Sequence, residues 1–190
     1  MSKVRPSFEW LKRICRAEHG VAAVEFALIL PIMLFTYLGT LEASTLITVD
    51  RKVQSVAGAI GDLVARVDGS ISASQLQDFF QAASGIMTPY DSSDVLQVVT
   101  AVWVDSDGET EVIWTRQYQS GAYTDDTPHN QGEAFTLPEA MIDIARGNMV
   151  IAAEASYTYT PLKGIIFNAP VNLYRASYFM PRFGDPIAIN

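Results

Sequence analysis

From Val21 to Val49 the chain runs twenty-nine residues with only Glu25 and Glu42 charged, and between those two lies FALILPIMLFTYLGTL, Phe26 to Leu41, with no charge at all. A helix rises ~1.5 Å per residue, so this core with its apolar flanks is long enough to cross a hydrocarbon layer ~30 Å thick. Such a segment has to be withdrawn from water, in lipid or against other helices. The flanking charge orients it. Residues 1–20 hold Lys3, Arg5, Lys12, Arg13 and Arg16 against Glu9 and Glu18, a net +3, so the overall charge of -8 leaves -11 for the remaining 170 residues. Cytoplasmic flanks retain the excess of Lys and Arg, which predicts a single pass with the N-terminus in the cytoplasm and the acidic remainder translocated. The expected organisation is a cytoplasmic leader at 1–20, a transmembrane segment at 21–49 and an outer domain at 50–190.

An ordinary secretory signal would carry small residues at A-x-A spacing after the apolar core. No such site follows here. A lipoprotein would need its cysteine after the core, whereas Cys15, the only cysteine, sits among Lys12, Arg13 and Arg16 upstream of it. One cysteine also means that no internal disulfide staples the outer domain, which must rely on packing. The acidic balance argues against nucleic-acid binding, because neutralising phosphates needs a basic surface.

The junction reads Arg16-Ala17-Glu18-His19-Gly20 and then VAAVEFALILP, Val21 to Pro31. A glycine at the switch from charged to apolar sequence, with a glutamate five residues on, resembles the processing site of type IV pilin-like proteins. In its combination of Gly20, small residues, Glu25-Phe26 and Pro31 it is more closely similar to the TadE-like family, minor pseudopilins of tight-adherence (Flp, type IVc) pilus systems. The resemblance covers about residues 16–45. It is looser at the closing Tyr157-x-Tyr159-x-Pro161 and Met180-Pro181-Arg182. It implies cleavage after Gly20 by an inner-membrane prepilin peptidase, with Val21 as the mature N-terminus. Valine here, where other pilin branches carry phenylalanine, favours the tight-adherence branch. The partners it implies are the peptidase, other pilins or pseudopilins and the inner-membrane assembly platform. The localisation it implies is the inner membrane, with incorporation in an extracellular pilus.

The residues support a site on their own chemistry. Glycine lets the backbone lie in a narrow protease groove that a Cβ would obstruct. Glu25 costs ~2.5–3.5 kcal/mol at a bilayer centre, so an acidic residue there calls for a role. A freed Val21 amine would need a counter-charge in an apolar filament, and Glu25, four residues along, can supply it within one helix or between staggered subunits. The alternative is a boundary glutamate facing headgroups. Pro31 removes a backbone donor ten residues into the helix and is expected to kink it or melt the preceding turn. Gly39 and Ala43 form a small-xxx-small pair suited to close helix approach.

Beyond Asp50 the steps Val53, Val56, Ala57, Ile60, Val64 and Val67 predict that the helix continues with one buried face, although Gly58 and Gly61 weaken it. Asp68-Gly69-Ser70 reads as a stop. Ser72-x-x-Gln75 is a capping-box candidate for a second helix that buries Leu76, Phe79, Phe80 and Ala83. Strands are expected at 95–104 and 111–118, joined by a turn with an Asp107-Gly108 step, and again at 149–159 and 171–180. A short helix is expected at 138–146, between Pro138 and Gly147. The expected fold class is α+β: a long N-terminal helix packed on a small antiparallel sheet of four strands, pilin-like.

The usual nucleophile, zinc and nucleotide-binding patterns are missing, with only His19 and His129 and no G-x-S-x-G or phosphate loop, so a membrane-tethered hydrolase is disfavoured and no cofactor is expected. Asp105, Asp107, Glu109 and Glu111 offer a calcium alternative without EF-hand spacing; the ordinary reading is a solvated acidic turn. The aromatics Tyr157, Tyr159, Phe167, Tyr174, Tyr178 and Phe179 alternate at strand spacing, which favours cross-strand packing over a ligand platform. The expected function is a non-enzymatic minor pseudopilin. The competing class is a permanently anchored periplasmic accessory or binding protein of the same machinery.

Overall fold

A computed structural model of the chain describes residues 21–161, 164 and 168–190. The first helix, α1, runs forty-five residues from Val21 to Ala65 and continues unbroken through Pro31, Gly58 and Gly61. Of the two outcomes expected at Pro31, a kink or a melted turn, the melted turn does not occur, since the residues before it are helical. Proline removes only the donor that the Ala27 carbonyl would have used, and the bonds on either side hold the helix. The chain divides into two compact units at Ser44 and Thr45.

In the first unit the described residues are Val21–Ser44. Residues 21–37 are all exposed, among them Leu28, Ile32 and Tyr37 at more than 60 %. Among the described residues this is the one helix long and apolar enough to cross a membrane.

In the second unit α1 buries Val49, Val53, Val56, Ala57, Ile60 and Val64 completely, a stripe at three- and four-residue steps. Past Ala65 the chain leaves the helix through Gly69 at φ +72°, a conformation that favours glycine. The freed carbonyl of Ala65 accepts from the Arg182 amide at 2.8 Å. Two residues, Ser70–Ile71, form strand β1. Helix α2, Ala73–Ser84, starts where the hydroxyl of Ser72 accepts from the Gln75 amide at 3.2 Å, and it buries Leu76, Phe80, Ala83 and Ser84, with Phe79 half-buried against the core.

The sheet contains β2 Leu96–Val104, β3 Thr110–Gln119, β4 Ala122–Thr124, β5 Asn148–Tyr159 and β6 Val171–Phe179. It is antiparallel in the order β4-β3-β2-β5-β6. The expectation of four strands is corrected to five, with a separate two-stranded parallel ladder of β1 and β7, Ala188–Ile189. The added strands are two or three residues long, too short to show a period. Helix α3, Glu139–Ala145, lies between Pro138 and Gly147 as expected.

A bulge between Ala101 and Val102 decides which face each β3 residue meets. Ala101 pairs with Trp114 and Val102 with Val112, so Ile113 is the extra residue and the alternation reverses across it. Trp114 then joins the core between the sheet, α1 and α2, while Val112 packs on the other face with Val102, Val104, Val150, Phe135, Leu137 and Ala145. Among the described residues the apolar cover of that second face comes from the 125–137 loop and α3.

Candidate functional site

The residues singled out at the N-terminus begin α1. Gly20 lies outside the described residues, and Val21 is the first described residue of the helix. Val21 and Glu25, four positions apart, share a helix face, and both are exposed, as are Phe26 at 59 % and Pro31. The helix meets the demand of an apolar phase that polar groups bond internally. Thr36 donates its hydroxyl to the Ile32 carbonyl at 2.9 Å, and Thr40 donates to that of Thr36 at 2.8 Å. What this segment presents outward is hydrocarbon, one carboxylate and, at Val21, the start of a helix. Chemically it can insert in lipid or pack against copies of itself.

The acidic residues 105–111 form the β2–β3 turn. One carboxylate oxygen of Asp105 accepts from the amides of Asp107 and Glu109, both at 2.8 Å, and Gly108 takes φ +92°. Arg146 donates to the Ser106 carbonyl at 3.1 Å. Asp105 is thus committed to closing the turn. Among the described residues no group of three or more His, Cys, Asp or Glu side chains is placed to hold a metal ion.

A cluster that the sequence reading missed lies on the second face of the sheet. Glu154, in the middle of β5, is buried at 7 % exposure. His129, from the loop before α3, places Nε2 2.6 Å from one of its carboxylate oxygens, and the Tyr174 hydroxyl of β6 donates to the other. The His129 ring also meets Phe135 with centroids 4.7 Å apart. Desolvation, then the bond to Glu154 and its charge, push the Tyr174 phenol well above the ordinary tyrosine range, and burial followed by the same carboxylate raises Tyr178. The available signal was Glu154 itself, the single charge in the strand NMVIAAEASYTY. A buried carboxylate needs partners, but nothing local says which ones they are.

The aromatic set divides between the two faces. Tyr159 is buried in the core facing α1, where Tyr157 and Phe179 pack partly buried, while Tyr178 packs on the second face and Tyr174 stays 54 % exposed. Phe167 lies outside the described residues.

No curated protein and no solved structure gives a significant match to the chain. Through residues 20–60, which take in Gly20, Glu25, Pro31 and most of α1, the chain matches the family model described as TadE-like protein, the family that its N-terminal motif resembles.

Proposed function

We propose that this chain is a minor pseudopilin of a tight-adherence pilus, cut between Gly20 and Val21 by a prepilin peptidase and assembled through α1. It works by subunit packing and not by catalysis. The observation that carries the reading is the combination of a TadE-like match over 20–60 with an α1 whose first seventeen residues are exposed apolar surface around a single carboxylate. A helix of that composition is stable only in lipid or in a bundle of like helices, and a pseudopilin occupies the two in turn. The second unit, from Thr45 onward, has its own core and lies outside the cytoplasm by the charge asymmetry of the flanks. Glu25 holds the Val21 amine of a neighbouring subunit and sets the stagger between helices.

The deciding measurement is the mature N-terminus. Intact mass and N-terminal sequencing from cells that contain the peptidase give a chain starting at Val21. A chain retaining Met1 makes the protein a permanent anchor instead. A reporter active only outside the cytoplasm, fused after Asn190, is active; activity of a cytoplasm-only reporter at that place overturns the orientation.

A further inference from the structure

We infer that the open end of the sheet's second face is a binding site for a neutral pyranose saccharide, a role beyond assembly. Among the described residues the apolar cover of this face comes from the 125–137 loop and α3, at the end away from Ser156, Thr158 and Asn172. At the other end the strand register brings polar side chains into rows. Ser156 pairs with Leu96 on one side and Tyr174 on the other, and Thr158 pairs with Asn172. Two hollows result. The larger, about 320 Å³, reaches around the strand ends: Asp94, Gln119, Ser156, Thr158 and Asn172 line it together with Tyr157 and Leu173, which belong to the face toward α1. The smaller, about 60 Å³, is lined by Tyr174 with Leu96, Val98, Glu154 and Ser156, so that the two share Leu96 and Ser156. The larger volume is at the lower end of the ~300–1,000 Å³ usual for small-molecule sites.

The chemistry of the lining selects the ligand class. Asn172 and Gln119 carry planar amides, able to donate and accept toward neighbouring hydroxyls, Ser156 and Thr158 carry hydroxyls, and Asp94 is a carboxylate acceptor. Asp94, Gln119 and Ser156 are engaged in no hydrogen bond among the described side chains, and the hydroxyl of Thr158 donates to the Asn172 oxygen at 3.0 Å, which leaves the Asn172 amide hydrogens for a ligand. Among the described residues no lysine or arginine lines either hollow, which favours a neutral ligand over phosphates and acidic sugars. Tyr174 supplies the remaining element: an aromatic ring, 54 % exposed, whose electron-rich face suits the C–H side of a pyranose. Its hydroxyl is tied to buried Glu154, itself held by His129, so the ring is positioned before a ligand arrives and little rotamer entropy is lost on binding.

The test is saturation-transfer NMR on the full chain in a detergent without a sugar headgroup, with cellobiose and chitobiose as neutral probes and sialyllactose as an acidic one. Transfer to the ring C–H protons of either neutral disaccharide, and not to sialyllactose, is expected. Asn172→Ala and Gln119→Ala, at exposed positions, weaken binding about three- to tenfold, as loss of one or two hydrogen bonds does. Tyr174→Ala abolishes transfer and Tyr174→Phe, which keeps the ring, retains it. Absence of transfer from both neutral probes at tens of millimolar, preference for sialyllactose, or binding indifferent to Asn172→Ala and Gln119→Ala would overturn the assignment. Loss of binding leaves processing at Gly20 intact, so this proposal and the pilin reading fail separately.

Discussion

The indole nitrogen of Trp114 donates a 2.7 Å hydrogen bond to the main-chain oxygen of Ile187, across 73 residues of sequence. Both residues are buried, and the bond ties β3 to the segment whose next residues, Ala188 and Ile189, pair with Ser70 and Ile71. The closing segment thereby locks the crossover between α1 and α2. Trp114→Phe keeps most of the apolar contact and leaves the Ile187 carbonyl buried without a donor, which costs about 1–3 kcal/mol. Denaturant unfolding of the full chain in detergent micelles, followed by near-ultraviolet circular dichroism, should show the lowered midpoint. An unchanged midpoint would mean that the bond contributes nothing net.

Two glycines three residues apart on α1 are expected to respond with opposite signs. A Cβ on Gly58 meets nothing within 4 Å, so Gly58→Ala gains helix propensity and stabilises by about 0.5–1 kcal/mol. A Cβ on Gly61 comes 2.5 Å from ring carbons of Phe179 and 2.9 Å from the Ala153 Cβ. Gly61→Ala therefore destabilises, the overpacking cost of about 1–3 kcal/mol exceeding the propensity gain. Equal shifts of the two thermal midpoints would refute this account of the helix–sheet contact.

Acid should weaken the attachment of the 180–184 turn to α1. Hydrogen bonds from Arg66 and Arg182, together with their charges, hold the Asp62 carboxyl below its ordinary 3.8. A group with a depressed folded pKa stabilises fully above its unfolded value and loses that contribution as pH falls through the folded one. The stability difference between the parent and Asp62→Asn should be present at pH 5 and above and fade below about pH 4. The pairs are largely exposed, so the difference is small and shrinks in high salt. A difference that grows on acidification contradicts the assignment.

His129 and Tyr174 should be coupled through Glu154. Either His129→Ala or Tyr174→Phe leaves one oxygen of a buried carboxylate without its partner and costs about 1–3 kcal/mol. Once one partner is gone the other matters differently, so a double-mutant cycle should give a coupling of at least about 0.5 kcal/mol. Strict additivity would show that the two contacts are independent.

Glu25→Gln separates assembly from anchoring. A neutral amide is less costly in lipid than a carboxylate, so insertion should persist, as should cleavage five residues upstream. Assembly is expected to fail, because an amine buried without its counter-charge costs about 3–5 kcal/mol. Fractionation of membranes against sheared fibres gives the readout. Normal incorporation of the variant reduces Glu25 to a boundary residue.

The features legible in the sequence were those set by neighbours along the chain. The apolar run placed a helix of membrane-crossing length in α1, and the Val53–Val64 steps identified the buried face of its second half, although Val67, read as part of that face, lies past the helix end at Ala65. Ser72, Gly108, Pro138 and Gly147 marked boundaries because capping and positive-φ turns are satisfied within a few residues. The Gly20–Glu25–Pro31 pattern was likewise local, and the family match falls on it. What tertiary structure decided involves partners far apart. The order β4-β3-β2-β5-β6, the parallel β1–β7 ladder and the meeting of His129 with Glu154 and Tyr174 are all choices among pairings that local sequence leaves equally open. So is the bulge at Ile113, which turns Trp114 toward α1 and α2 and Val112 away. Helices and turns close their hydrogen bonds within four residues and so leave a sequence signature, whereas strand partners and buried-carboxylate partners are selected by the packing of the whole domain.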